Sequence, residues 1–218
     1  AHDLRSPMGS IKMVLNMLML NLPVEKIGGE MYELLTMANR TTEDVFSLLD
    51  NLLKWTKSQI GNLNVVYQDV DAVEVVDSVI DVFNMVAGLK KITIREEKPE
   101  KLPVCTDIDM LKTIIRNLLS NAIKFSNENS EVLVKMEEQG DTVVVSVKDS
   151  GCGIDEEGQQ KLLHTDTHFS TFGTNNEEGS GLGLLLCQDF AVKIGGKLWF
   201  TNKEGEGSTF YFSIPLKK

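Results

Sequence analysis

Basic residues in excess, paired cysteines and long apolar runs are all missing from this sequence. Against 32 Asp and Glu stand only 22 Lys and Arg, a formal net charge of −10, and the pI is about 4.8. Phosphate backbones are gripped chiefly by clustered Lys and Arg. With no basic run in the chain, nucleic acid is excluded as the main partner. The three cysteines, Cys105, Cys152 and Cys187, are odd in number and have no close pair or adjoining His cluster. They build neither a disulfide scaffold nor a zinc site and suit a reducing compartment. The longest apolar stretch, Met13 to Leu20, is broken by Asn16, whereas a membrane span takes about 20 apolar residues. No membrane contact by this chain is expected.

What is present is an ordinary globular composition, 42% hydrophobic and 25% charged over 218 residues. That excludes a disordered or fibrous chain and fits one large domain or two small ones. The start at Ala1-His2, without an initiator Met or signal peptide, predicts a piece of a longer protein.

Two periodicities divide the chain. Over residues 1–60, apolar positions run Ala1, Leu4, Met8, Ile11, Leu15, Leu18, Leu22, then Met31, Leu34, Ala38, Val45, Leu48, Leu52, Trp55. This spacing of alternating threes and fours is a heptad seam broken only at Thr41. Pro23 and Gly28-Gly29 separate the two runs and predict a helical hairpin. Two helices with one stripe each cannot bury both alone, so the pattern predicts a four-helix bundle formed by a homodimer.

From residue 61 onward, helical and strand patterns alternate. Helices are expected at Val73–Val86, Asp109–Ile123 and Leu182–Ile194. Strands are expected at Ile92–Glu96, Glu131–Glu137, Thr142–Lys148, Lys197–Thr201 and Ser208–Pro215. The fold class is α+β: a mixed sheet covered by helices in an α/β sandwich, following the N-terminal hairpin.

Three local patterns carry chemistry. The segment DMLKTIIRNLLSNAIKFS buries an apolar face and places Asn117, Asn121 and Lys124 one turn apart on another. Two amide oxygens so spaced suit a hard cation, and a lysine one turn on suits a phosphate. The motif DSGCGID sets Asp149 at a strand end, where a carboxylate can accept a hydrogen bond from a base's amino group. Gly151 and Gly153 leave that approach open. The motif EEGSGLGL puts Gly179, Gly181, Leu182 and Gly183 at a helix mouth suited to a triphosphate.

In this order the three boxes, NLLSNAIKF, DSGCGI and GSGLGL, resemble those of the catalytic and ATP-binding domain of sensor histidine kinases. That domain lies within the superfamily shared with gyrase, MutL-type repair proteins and the large heat-shock chaperone. The closing GEGSTFYFSIP resembles the family's last strand, which implies that Thr209 helps hold adenine. HDLRSP resembles the phosphoacceptor box, so the resemblance covers essentially the whole chain.

It implies residues 1–60 as a dimerisation and phosphoacceptor domain and residues 61–218 as the catalytic ATP-binding domain. It also implies a kinase that takes ATP and Mg²⁺, phosphorylates His2 with Asp3 beside it, and passes the phosphoryl group to the receiver domain of a response regulator. Asn117 and Asn121 would hold the metal. The resemblance places this core in the cytoplasm and is compatible with an inner-membrane anchor elsewhere in a full-length protein.

Several positions depart from the pattern or leave it open. The fifth residue of the phosphoacceptor box is Ser6, which keeps a hydroxyl, and Ser6-Pro7 reads equally well as a helix start that would leave His2 outside the helix. Phe169 and Phe172 stand in for the usual aromatic pattern between the glycine boxes. His164 and His168, four apart, have no matching further ligand and read as part of that segment. Cys152 sits between two pocket glycines. Two rivals are an ATP-driven clamp and a catalytically silent scaffold. Clamp relatives carry a Glu general base where this chain has Asn117, and an amide cannot deprotonate water.

Overall fold

The computed structural model describes residues 2–21, 28–59, 64–163, 173–174, 181–203 and 205–216. The chain divides into two compact units, Ala1–Asn62 and Leu63–Lys218.

The first unit holds α1 (His2–Asn21) and α2 (Gly29–Gln59), packed on each other. α1 runs through Pro7 from His2, so Ser6-Pro7 is not its start. In this helix the proline's missing N–H falls opposite the carbonyl of Asp3, and the cost is confined to the first turns. Thr41, the interruption in the seam, donates its hydroxyl to the Met37 carbonyl at 2.9 Å, which satisfies it within the helix.

The stripe that α2 half-buries is Tyr32, Leu35, Asn39, Thr42, Phe46, Leu49, Leu53 and Thr56, one position along from the seam. The seam itself stays open to solvent, at Met31, Leu34, Val45, Leu48 and Leu52 on α2 and at Ile11 and Leu18 on α1. The hairpin thus has two adjacent stripes, and the one it half-buries within the chain mixes apolar side chains with Asn39, Thr42 and Thr56.

The second unit holds β1 (Gln68–Asp71), α3 (Ala72–Leu89), β2 (Thr93–Glu97), β3 (Pro103–Thr106), α4 (Ile108–Phe125), β4 (Glu131–Gln139) and β5 (Thr142–Lys148). After them come α5 (Glu156–Leu163), α6 (Leu182–Lys193), β6 (Leu198–Lys203) and β7 (Gly207–Pro215). The main sheet has the order β2-β4-β5-β7-β6. β2 lies parallel to β4 and the other pairs are antiparallel, so the sheet is mixed. β1 and β3 form a separate antiparallel pair.

α3, α4 and α6 supply the other layer. Ile80, Leu111, Ile114, Ile115, Leu118, Leu119 and Leu186 from the helices and Phe212 and Ile214 from β7 belong to the core, all at most 1% exposed. α4 begins at Ile108, not Asp109, because Asp107 caps it: its Oδ1 accepts from the amides of Asp109 and Met110, both at 3.0 Å. Its Oδ2 accepts from Val66 N at 2.9 Å, and Tyr67 donates its hydroxyl to the Lys193 carbonyl at the end of α6, at 3.1 Å. The segment entering this unit is therefore tied to both helices that carry site motifs.

The β1–β3 pair and α5 escaped the sequence reading. Both strands are only four residues long, and α5, EEGQQKLL, is polar with a central glycine. Its signal was Asp155, whose Oδ1 accepts from Gly158 N at 2.8 Å as a helix cap does. No helix among the described residues is long and apolar enough to cross a membrane.

Candidate functional site

Asp149 stands one residue beyond β5 and is 5% exposed. Its Oδ1 accepts from Gly151 N at 3.0 Å and Ser208 N at 3.1 Å. Both bonds fall on one oxygen, which leaves Oδ2 for a ligand. Burial pushes the carboxyl above its ordinary pKa, and the backbone amides of Gly151, Ser208 and Asp149 itself, with the Lys148 charge, pull it partly back.

The loop after Asp149 is seated on the end of α4. Gly151 bridges Ser126, Ser126 Oγ accepts from Ser150 N at 3.1 Å, and Asn127 donates its side-chain amide to the Ser150 carbonyl at 3.2 Å. A Cβ at Gly151 would run into the Phe125 carbonyl, and one at Gly207 would lie 3.0 Å from Asp149 Oδ1. The side-chain-free positions are therefore what lets three segments converge on the buried carboxylate.

The second cluster joins α4 to the mouth of α6. Gly181, in the left-handed region at φ 66°, caps α6 and brings no side chain to its first-turn amides. A Cβ at Gly183 would sit 2.7 Å from Asn117 Oδ1. Asn117 donates its side-chain amide to the Thr113 carbonyl at 2.9 Å, and this turns its oxygen toward Gly183. Asn121 follows one turn later, half-buried, and Lys124 another turn on, with its ammonium 4.8 Å from the centre of the Phe125 ring. Gly153, half-buried, closes the first glycine loop.

These contacts bring Asn117 to Gly183, and Asp149 and Gly151 to the end of α4. Thr209 is not brought to Asp149. It pairs with Lys148 on one side and Thr201 on the other, and strand alternation sends its side chain to the opposite sheet face from its neighbour Ser208. Ser208 is the residue beside Asp149, with its amide donating to Asp149 Oδ1 at 3.1 Å and its hydroxyl to Asn202 Oδ1 at 2.9 Å.

Asn202 is a residue the sequence reading missed. It accepts from Ile154 N and donates to the Ile154 carbonyl, both at 2.7 Å, holding the glycine loop from β6. A single Asn in a strand carries no signal of this. Ser208 had one, as the first hydroxyl after Gly207. Cys152 is exposed, and its carbonyl accepts from Gly205 N at 2.7 Å. Gly179, His164, His168, Phe169 and Phe172 lie outside the described residues, as do the side chains of His2, Asp3 and Ser6. No group of three His, Cys, Asp or Glu able to hold a metal occurs among the described residues.

The residues fit ATP and Mg²⁺. A buried carboxylate with one free oxygen suits the adenine amino group. An amide oxygen at the mouth of a helix that lacks a side-chain cap suits a metal-bound phosphate tail. Together with the two-layer sandwich, this defines an ATP-binding domain of the three-box type. Residues 106–218 match the family described as histidine kinase-, DNA gyrase B-, and HSP90-like ATPase, and the chain belongs to it, in the branch of sensor histidine kinases.

Relatives agree. The adaptive-response sensory kinase SasA of Crocosphaera subtropica is 29% identical over 221 residues, covering 99% of this chain and 57% of its own length. The sensor protein KdpD of Clostridium acetobutylicum is 34% identical, over 99% of this chain and 24% of its own length. The chain thus spans little more than half the length of the curated relatives it matches, or less. The catalytic domain of the histidine kinase ThkA is 30% identical with a TM-score of 0.60, over 69% of this chain and 96% of that one. Full-length ShkA, solved in complex with AMPPNP, aligns over 100% of this chain and 44% of its own, with a TM-score of 0.74; at 22% identity it shows the fold alone.

Proposed function

We propose that the chain is the core of an ATP-dependent protein histidine kinase in two-component signalling, with residues 61–218 as its ATP-binding catalytic domain and residues 1–60 as its dimerisation and phosphoacceptor domain. The observation that carries it is Asp149, buried with one oxygen held by two backbone amides and the other left for adenine, beside the Asn117–Gly183 approach at the mouth of α6.

In this reading Asp149 accepts from the adenine amino group, Gly151 and Gly153 keep the base's entry clear, and Ser208 borders the base in place of Thr209. The loop of Gly179, Gly181, Leu182 and Gly183 holds the phosphate tail. Asn117 and Asn121 ligate the metal, and Lys124 balances phosphate charge. Mg²⁺ supplies charge neutralisation on the phosphates. The His2 imidazole attacks the γ-phosphorus, the bond to the ADP oxygen breaks, and Asp3 takes the imidazole proton. Alignment and electrostatics supply most of the rate. The phosphoryl group then passes to an aspartate of a response-regulator receiver domain.

The dimer is supported by the exposed seam, which two hairpins would bury as a four-helix bundle. A clamp ATPase is disfavoured by Asn117, which cannot act as a general base. The core is cytoplasmic in this reading, and any anchor belongs to other parts of a longer protein. Incubation with γ-labelled ATP tests the proposal. Acid-labile label is expected on the wild-type chain and none on His2→Gln, with nucleotide affinity unchanged. Acid-stable label, or label that survives His2→Gln, overturns it.

A further inference from the structure

The most deeply placed cation among the described residues of the second unit is Lys90, 6% exposed and just past the end of α3. The turn that follows it is unusual. Lys91 adopts φ 55°, a left-handed conformation that a non-glycine residue holds only when its surroundings require it. Ile92 N returns to the Ala87 carbonyl at 2.9 Å.

The Lys90 ammonium donates to the carbonyls of Ile123 at 3.1 Å and Lys124 at 2.8 Å, and to Thr174 Oγ1 at 2.6 Å. The two carbonyls belong to the last turn of α4, where helical donors run out and a positive charge meets the negative end of the dipole. Thr174 lies in the stretch between the two glycine boxes. Its amide donates to the Lys124 carbonyl at 3.2 Å, and its hydroxyl oxygen is 2.9 Å from the Ser126 carbonyl. Filling this space for packing alone would suit an apolar chain better, since burying an ammonium is costly unless its protons are taken up. What the lysine adds is directional bonds to two separate segments.

We infer that Lys90 is a positioning residue that pins the chain at Gly173–Thr174, between the glycine boxes, to the C-terminal turn of the helix carrying Asn117, Asn121 and Lys124. The pin holds Thr174 against the end of the same helix that carries Asn117, Asn121 and Lys124. This inference rests on the reading of the site as an ATP site.

Two readouts on the whole chain keep the two apart: hydrogen exchange of peptides containing residues 173–174 without nucleotide, and ATP affinity by calorimetry with Mg²⁺. Lys90→Met should speed exchange at 173–174 at least tenfold, while peptides from the middle of α4 stay protected, and should weaken ATP binding about five- to tenfold. Thr174→Val, a change at an exposed side chain, should move both readouts the same way by about threefold. Thr174→Ser should restore them, and Lys90→Met with Thr174→Val together should do no more than Lys90→Met alone.

Unchanged exchange at 173–174 in both single variants overturns the pin, as does additive behaviour of the two. Altered exchange with unchanged ATP affinity overturns its role at the site. If Lys90→Met fails to fold, the Thr174 pair decides the case. A wild-type chain that takes up no ATP defeats the ATP-site reading, and the exchange comparison still decides the pin.

Discussion

The two units of this chain handle the same problem, apolar surface, in opposite ways. In the second unit the helices and the sheet close over each other, and residues such as Leu111, Ile114 and Phe212 are fully buried within one chain. In the first unit none of the described side chains is buried, and Met31, Leu34, Met37 and Met13 are each more than half exposed. The difference teaches that hydrophobic periodicity specifies a helix without specifying what covers it. A sheet offers a broad second layer, whereas a two-helix hairpin offers a narrow one and leaves its second stripe open to solvent.

The largest effect that would sharpen this contrast is on assembly. Leu34→Asp together with Leu48→Asp, both on the open seam, should turn a dimer into a monomer by light scattering at tens of micromolar, roughly the upper range for weak association. The melting of residues 63–218 should be unchanged. A wild-type chain that is already monomeric there would break the contrast. Next, Leu118→Ala should cost the second unit about 2–5 kcal/mol in chemical denaturation through the cavity it leaves. The same truncation at Leu34 should cost the fold of a single hairpin far less, because little surface is buried there.

Third, Asp149→Asn should weaken ATP binding by about 1.5–3 kcal/mol, the worth of a charge-assisted bond, as measured by calorimetry. The fold should lose nothing, because an amide oxygen still accepts from Gly151 and Ser208. Unchanged affinity would reduce Asp149 to a turn residue.

The smallest effect is in pH. Burial raises the Asp149 pKa, so the folded state holds its proton more tightly than the unfolded chain. Its contribution to stability is therefore greatest in acid and is lost as pH rises from the ordinary carboxylate value through the raised one. ATP affinity should move the opposite way, rising over the same window as the carboxylate ionises. The Asp149→Asn protein should lose this part of each slope, and a wild-type affinity flat through that window would contradict the assignment.

Most of the second unit could be read in advance because its signals are local. The apolar face of α4 repeats at helical spacing from Leu111 to Ile123. The β4–β5 turn is marked by Gly140, which the structure holds at φ 62°. The three boxes stand out by residue type. What could not be read depends on neighbours distant in sequence. Ser208 replaces Thr209 beside Asp149 because pairing with Lys148 and Thr201 fixes which face each residue takes, and a one-residue step reverses the face. The glycine loop is held by Asn202, and the C-terminal turn of α4 by Lys90, across 48 and 33 residues respectively.

The sequence by itself determined the class of the longer segments, the acidic character of the chain, and the carboxylate, amide and glycine positions that we propose as an ATP site. Those follow from local periodicity and side-chain chemistry, which act over a few residues. Only the tertiary structure decided which of the two stripes of the hairpin is used within the chain, which oxygen of Asp149 is left over, and that a buried lysine ties the stretch between the glycine boxes to α4. The physical reason is the same in each case. Burial and hydrogen-bond partners belong to pairs of segments, and a pair exists only once the chain has folded.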